Sequence, residues 1–259
     1  MIAILRSFGK YSGLLQQLIK RDLKVKYRRS ALGYLWSLMN PLIMMLVITA
    51  VFSTIFGRYS INNFPVYLLS GQILFGFFAE ATNAAMISIV NGEALIKKVY
   101  IPKYIFPLSR TLSSFVNLLF SLVAIIIVLL ITNVKFTLVM FLFPLPLLYT
   151  LMFAIGCGLI LSVCTVFFRD TVHLYGVFLT AWMYFTPIFY PEQILPDTMR
   201  MLLRFNPLHH FIEMFRQIVM YEQVPSLREN MICLLLGIGF ICAGLFFFRK
   251  NQNKFILYI

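Results

Sequence analysis

The sequence predicts an all-α membrane protein of six transmembrane helices, with an N-terminal amphipathic helix lying along the inner interface and short re-entrant helices between spans five and six. Three observations lead there. Of its residues 61% are hydrophobic and 12% charged, with mean hydropathy +0.88, outside the range of soluble globules. Six apolar stretches approach or exceed the roughly 20 residues that a helix needs to cross about 30 Å of hydrocarbon. The positive charge is unevenly distributed between the loops.

Residues 1–31 come first and are too polar for the apolar core of a cleavable leader. Within them Leu14, Leu15, Leu18, Ile19 and Val25 share one helical arc. Gln16, Gln17, Lys20, Arg21, Lys24 and Arg28 share the other. Asp22 and Lys26 interrupt the apolar arc at a spacing that lets them pair. Such a helix lies in the interface plane.

The first span runs from Leu32 to Phe56 with Pro41 inside it, the second from Phe64 to Val90 and the third from Tyr104 to Ile131. The fourth, Leu138 to Phe168, is long enough to tilt or to begin with an interfacial turn at Pro144 and Pro146. The fifth runs from Val172 to Tyr190 and the sixth from Met231 to Phe248. Unbroken rather than alternating apolar runs argue for helices and against a β-barrel. The divisions are therefore 1–31, 32–190 for spans one to five, 191–230, and 231–259 for span six with a short tail, all in one transmembrane domain (1–259).

Threading from a cytoplasmic N-terminus puts sixteen of 22 Lys and Arg inside: eight before span one, then Lys97, Lys98, Lys103, Arg110, Arg169, Arg249, Lys250 and Lys254. Arg58, Lys135, Arg200, Arg204, Arg216 and Arg228 fall outside. This bias places both termini in the cytoplasm. The net charge of +13 is then inner-face charge facing anionic headgroups, not a nucleic-acid footprint. Cys157, Cys164, Cys233 and Cys242 all lie in apolar stretches, so neither a disulfide framework nor a Cys/His metal spacing is expected.

Two loops stand out. Between spans two and three, Asn91 and Gly92 end one helix, and Pro102 and Pro107 disfavour another. Glu93 to Tyr100 between them has room for about two helical turns, a short stiff element suited to docking another protein. The segment Pro191 to Pro225 is too polar to span yet rich in Leu, Met and Phe. It reads as two amphipathic helices parted at Asn206, the N-cap, with Pro207 at the first helical position. At the tight turn between spans four and five, Asp170 of Arg169-Asp170 either caps the fifth helix or meets a partner.

Chemistry-bearing motifs are scarce. Gly71 and Gly76 have P-loop spacing, but Phe77 and Phe78 stand where Lys and Ser/Thr are required, so no ATP site is expected. There is no nucleophile elbow and no zinc-protease motif. His209 and His210 read as interfacial polar residues. Glu80, an acid well inside span two with Asn83 on its face, reads as cavity-lining, helix-linking or neutral and hydrogen-bonded. Trp182, Tyr184, Phe185, Phe189 and Tyr190 gather around Pro187 at the end of span five, as belt residues or as sliding surfaces for sugars.

Several segments together resemble one family. RDLKVKYRRSALGYLWSLMNPL (Arg21 to Leu42), KKVYIPKYIFPLSR (Lys97 to Arg110), FFRDT (Phe167 to Thr171), YFTPIFYP (Tyr184 to Pro191) and NPL (Asn206 to Leu208) are similar to ATP-binding-cassette (ABC) type-2 exporter permeases, particularly those for O-antigen, capsular polysaccharide or teichoic acid. The resemblance implies a homodimer in the bacterial inner (plasma) membrane with two copies of a cytoplasmic ABC ATPase, which bind ATP and Mg; this chain holds no cofactor. The substrate implied is a lipid-linked glycan or polyol-phosphate polymer. Leu18, Arg21, Asp22, Lys26 and Arg28 would belong to the interface helix. Glu93, Leu95, Lys97, Lys98, Tyr100, Arg169 and Asp170 would couple to the ATPase. Tyr34, Trp36, Glu80, Trp182, Tyr184, Phe185, Phe189, Tyr190, Asn206 and Pro207 would line the conduit and gate. A secondary transporter or channel using Glu80, an exporter of a drug or small lipid, and an enzyme acting on lipid-linked sugar are the alternatives.

Overall fold

The computed structural model describes residues 2–28, 32–56, 61, 63–99, 101–134 and 136–258, with side chains from residue 11 onward except at 27 and 53–56. These residues form an all-α, multi-pass bundle. Five helical stretches are long and apolar enough to cross a bilayer: Leu35–Phe52, Phe64–Met86, Ile105–Ile131, Leu138–Phe167 and Leu227–Leu257.

The chain opens with α1 (Ile2–Tyr27), longer than the amphipathic arc alone requires. Leu18 is buried against the bundle and Val25, on the same arc, is exposed. The first span is α2 (Leu35–Phe56), which keeps Pro41 within it. A proline four residues on removes the donor that would satisfy the Ser37 carbonyl, an omission costly in lipid. The Ser121 hydroxyl supplies that bond at 2.9 Å and ties α2 to the third span.

The second span, α3 (Phe64–Met86), is the bundle's centre. Two thirds of its most apolar stretch is buried, against 6% of that of α2. It ends at a break at Ile87 and is followed by α4 (Ser88–Asn91) and α5 (Glu93–Ile96). The two turns expected from Glu93 to Tyr100 are thus one turn. Pro102 biases the residue before it towards extended backbone, and the chain leaves helix after Ile96, through a turn at Lys97 and Lys98. Tyr100 lies outside the described residues.

The third span is α6 (Ile105–Ile131). A 3-10 turn at Leu138–Leu142 then leads into α7 (Pro144–Phe167), so the turn precedes Pro144 and Pro146, which stand in the first turn of the helix rather than in the turn expected there. Helix α11 (Leu227–Asn251) starts four residues earlier than the apolar run suggests. Its start is a capping box: the Ser226 hydroxyl accepts from Glu229 N, and the Glu229 carboxylate accepts from Ser226 N at 3.0 Å. Glycines let α7 and α11 touch backbone to backbone: a Cβ on Gly156 would lie 2.3 Å from the Phe240 carbonyl, and one on Gly244 2.5 Å from the Gly156 oxygen.

The fifth stretch differs most from expectation. Here α8 (Thr171–Phe185) has 15 residues, about 22 Å at 1.5 Å per residue, and the chain from Thr186 to Tyr190 is not helical. Pro187 is the cause, since its ring disfavours helix at Thr186, which is extended at ψ 131°. A further 3-10 turn (Glu192–Ile194), α9 (Asp197–Leu203) and α10 (Pro207–Val219) follow before α11. Helix α10 is deeply packed, burying Leu208, Phe211, Ile212, Phe215 and Ile218 against α3 and α7. A last 3-10 turn (Gln252–Leu257) folds Phe255 into a small cluster with Phe248, Phe106 and Val163.

Candidate functional site

At the end of the bundle that carries α1, two loops meet. On α5, Lys97 Nζ donates to Glu93 Oε1 at 2.6 Å, closing an i,i+4 pair on the single turn. That bond, together with Lys97 and Arg169 charge, holds the Glu93 carboxyl below its ordinary range. Leu95 and Ile96 after α3 and Phe167 at the end of α7 pack on one apolar cluster, so the two loops share one face. Lys97, Lys98, Arg169 and Asp170 are exposed on it. Leu95 turns inward onto the cluster around Phe106. Asp170 occupies the N-cap position of α8, but its side chain accepts no capping bond.

Helix α1 is pinned beside this face. Its two arc-interrupting charges have their hydrogen-bonded partners elsewhere than each other. Asp22, 8% exposed, is held by Arg21 at 3.1 Å and by Arg110 of α6 at 3.2 Å. Lys26 Nζ donates to Glu80 Oε1 at 2.9 Å. The i,i+4 pairing expected from sequence is replaced because buried Asp22, costly as a lone charge, meets Arg110 of α6, while half-exposed Lys26 reaches Glu80 of α3. Arg28, just past the helix, is exposed.

Glu80 is a hydrogen-bonding hub that links helices. Its Oε1 accepts from Lys26, from Ser114 Oγ at 3.1 Å and from Asn117 Nδ2 at 2.8 Å. These groups line a cavity of about 370 Å³ between α2, α3 and α6, with Trp36 at its wall. The sequence signal missed was the polar stripe Ser114, Asn117 and Ser121, at i, i+3 and i+7 in an otherwise apolar span. The Tyr34 ring lies tilted against Phe120 with centroids 5.4 Å apart.

The other expected conduit residues gather at the opposite end of the bundle. Asn206 is buried and knots α8 to α10. Its Oδ1 accepts from Trp182 Nε1 at 2.9 Å and from Leu208 N at 3.1 Å, and its Nδ2 donates to Thr186 Oγ1 at 2.9 Å. Trp182 packs edge-on to Phe78, with centroids 5.3 Å apart. Trp182, Phe185, Asn206 and Pro207 face an open groove of about 430 Å³ together with Phe178 and Phe205. Tyr184 is exposed and stands 6.1 Å from Phe189, and the Tyr190 hydroxyl donates to the Tyr184 carbonyl at 2.7 Å. The aromatic and polar residues expected along one conduit thus fall into two sets, Tyr34, Trp36 and Glu80 in one, the α8–α10 residues in the other.

Two residues of this second region escaped the sequence reading. Arg216 of α10 is 1% exposed, with its guanidinium 3.5 Å from the Tyr67 ring centre. It donates to Ser70 Oγ and to the Tyr67 carbonyl, both at 3.2 Å. Tyr67 in turn donates its hydroxyl to the carbonyls of Pro187 and Tyr190, at 3.1 and 2.9 Å. The non-helical stretch after α8 is therefore held by α3, and α3 by α10. No local pattern marks a lone arginine in an amphipathic helix as buried.

Comparison with known proteins agrees with this architecture. The ABC-2 type transporter family matches residues 13–220. The chain is 28% identical to the O-antigen export system permease protein RfbA of Myxococcus xanthus, covering 98% of each. It is 24% identical to the polysialic acid transport protein KpsM of Escherichia coli, covering 93% of this chain and 94% of that one. It is 24% identical to the capsule polysaccharide export inner-membrane protein CtrC of Neisseria meningitidis, covering 86% and 88%. With that match spanning most of its spans and both of its distinctive loops, the chain belongs to the ABC-2 type transporter family and is the membrane permease component of such a transporter.

Proposed function

We propose that this chain moves a lipid-linked polysaccharide or a teichoic-acid-type polymer from the cytoplasm to the outer face of the bacterial inner membrane, working as a homodimer with two cytoplasmic ABC ATPases. The relatives named for O-antigen, polysialic acid and capsule export support the substrate class. Both termini are cytoplasmic in this reading, following the basic-residue bias. Six crossings result if α8 and the stretch after it together make the fifth, with α9 and α10 as re-entrant gate helices.

The observation that carries the dimer is the thin cover of two helices. Among the described side chains, only Met45 is buried along α2 and only Tyr175 and Leu179 along α8. These are the spans expected to line a conduit at a two-fold axis, and a second copy would cover the apolar faces they leave open. ATP and Mg belong to the partner, which would push on Glu93, Lys97, Lys98, Arg169 and Asp170. Because Leu95, Ile96 and Phe167 rest on one apolar cluster, a push on either loop reaches both α3 and α8. The interface helix α1, through Lys26 and Asp22, passes the same motion to α3 and α6.

The test is a mild-detergent purification of the tagged chain from native membranes, with a Lys97→Glu, Lys98→Glu variant beside it. A P-loop ATPase should co-purify at one copy per permease with the wild type. The variant should stay in the membrane, lose the ATPase and lose surface polymer. Normal surface polymer in the variant would sink the coupling assignment, and a stable homo-oligomer without ATPase would sink the exporter.

A further inference from the structure

The cavity at the α1 end of the bundle is built to receive hydrogen-bond donors. It is walled by Trp36 and Asn40 of α2, Gln72, Gly76 and Glu80 of α3, and Ser114, Asn117 and Ser121 of α6. At about 370 Å³ it lies at the small end of ligand pockets, which run from roughly 300 to 1,000 Å³. Of its donors, Lys26, which also lines it, Ser114 and Asn117 Nδ2 are already committed to Glu80, and Ser121 gives its own to the Ser37 carbonyl. Asn117, 5% exposed, gives its amide N–H to Glu80, and its Oδ1 has no partner among the described residues. Gln72 Oε1 is likewise buried without a partner among them. Two buried carbonyl oxygens without donors are expensive unless something donates to them.

The charge balance narrows the donor. Lys26 offsets Glu80 at 2.9 Å, so the cavity is close to neutral and gives a bare cation little to bind. Half-exposed Trp36 adds an aromatic wall of the kind that packs against the C–H face of a sugar ring. Gly76 keeps the floor open: a Cβ there would meet nothing within 4 Å. The lining is polar at a depth where helices bury apolar stripes. Glu80 lies about 24 Å along α3 from Phe64, at 1.5 Å per residue.

We propose that this cavity binds the uncharged, hydroxyl-rich headgroup of a glycosylated lipid, with Asn117 Oδ1, Gln72 Oε1 and Glu80 accepting from its hydroxyls and Trp36 packing on its ring. The assignment deepens the export reading and rests on it only for the lipid's destination. The headgroup belongs either to the transported lipid-linked glycan or to a glycolipid resident in the membrane.

The experiment uses the full chain in phosphatidylcholine nanodiscs and an alkyl glucoside carrying a photoreactive diazirine on the sugar, with labelled peptides mapped by mass spectrometry. Labelling is expected at the Trp36, Gly76 and Asn117 peptides. Excess plain alkyl glucoside should compete, while an alkyltrimethylammonium and an alkanol of equal chain length should not. Gly76→Leu fills the floor without touching a polar group and should cut labelling there at least roughly tenfold. Asn117→Leu should weaken half-saturation about tenfold, the effect of one buried hydrogen bond. Labelling confined to other segments, equal competition by the ammonium, or undiminished labelling in a monodisperse Gly76→Leu protein would each overturn the proposal. The competition arms need only the wild type, so they decide even where a variant does not fold. Surface polymer in cells carrying Gly76→Leu separates the two sources: a fall in step with labelling identifies the transported lipid, and unchanged polymer a resident one. If cells lacking the chain keep their surface polymer, the export reading fails while the labelling still judges the cavity.

Discussion

Replacing Gly156 by alanine should separate two helices that nothing else can separate cheaply. The added methyl would sit 2.3 Å from the Phe240 carbonyl carbon and oxygen and 2.7 Å from Ile241 N, all backbone atoms. Ordinary carbon contacts lie at about 3.5–4.0 Å, so α7 and α11 must part by about 1 Å. They are held together at the same crossing by the Phe153–Phe240 ring pair at 4.5 Å and by the Tyr149 hydroxyl donating to Asn230 Oδ1 at 2.7 Å. Overpacking of this kind costs about 1–3 kcal/mol. Better helix propensity returns at most about 1 kcal/mol. A backbone clash belongs at the upper end, so the net loss is about 2 kcal/mol. For a chain of this size that lowers the melting temperature by roughly 4–8 °C. Gly176→Ala on α8, where a Cβ meets nothing within 4 Å, is the control and should be neutral or slightly stabilising. The assay is thermal unfolding of both purified variants in one detergent, followed by the helical signal. A Gly156→Ala protein as stable as Gly176→Ala would refute the packing argument.

Three further outcomes are expected. Asn206→Leu strips the donors Trp182 Nε1 and Leu208 N of their acceptor and should cost about 2–4 kcal/mol, with a shift in tryptophan emission; unchanged emission would mean the knot between α8 and α10 is not as described. Arg216→Ala removes the cation from the Tyr67 ring and two hydrogen bonds to α3, and should expose the stretch after α8 to protease sooner than Arg216→Lys does; equal cleavage in wild type and Arg216→Ala would remove its pinning role. Glu93 should titrate below the ordinary carboxylate value because of Lys97, and Lys97→Met should return it towards that value, read from its side-chain carbon shift by NMR. A depressed carboxylate favours the folded turn at pH above its unfolded value and loses that contribution as pH falls through the folded one, so the α5 turn should loosen only in acid. An unmoved Glu93 in Lys97→Met would show that the pair is not formed.

What could be read in advance followed from costs the bilayer imposes on any chain. Apolar length marked α2, α3, α6, α7 and α11 because lipid permits little but helix, and the Asn206-Pro207 start was legible because a cap is local chemistry. The α5 turn came out shorter than expected, and α8 stopped at Phe185, since proline sets where helix becomes improbable and not where the preceding turn gives up. Which charges pair was beyond a linear reading. Lys26 and Asp22 suit each other at i,i+4, yet Glu80 and Arg110 approach them from other helices, and a partly buried charge takes whichever partner the packing delivers. The same holds for Arg216 against Tyr67 and for the acceptors around Glu80. Sequence by itself determined that this chain crosses a membrane as helices, because transfer free energy depends on composition. Only the tertiary structure decided which polar groups meet inside it, because those contacts depend on helix rotation and crossing, set by packing between segments up to 149 residues apart.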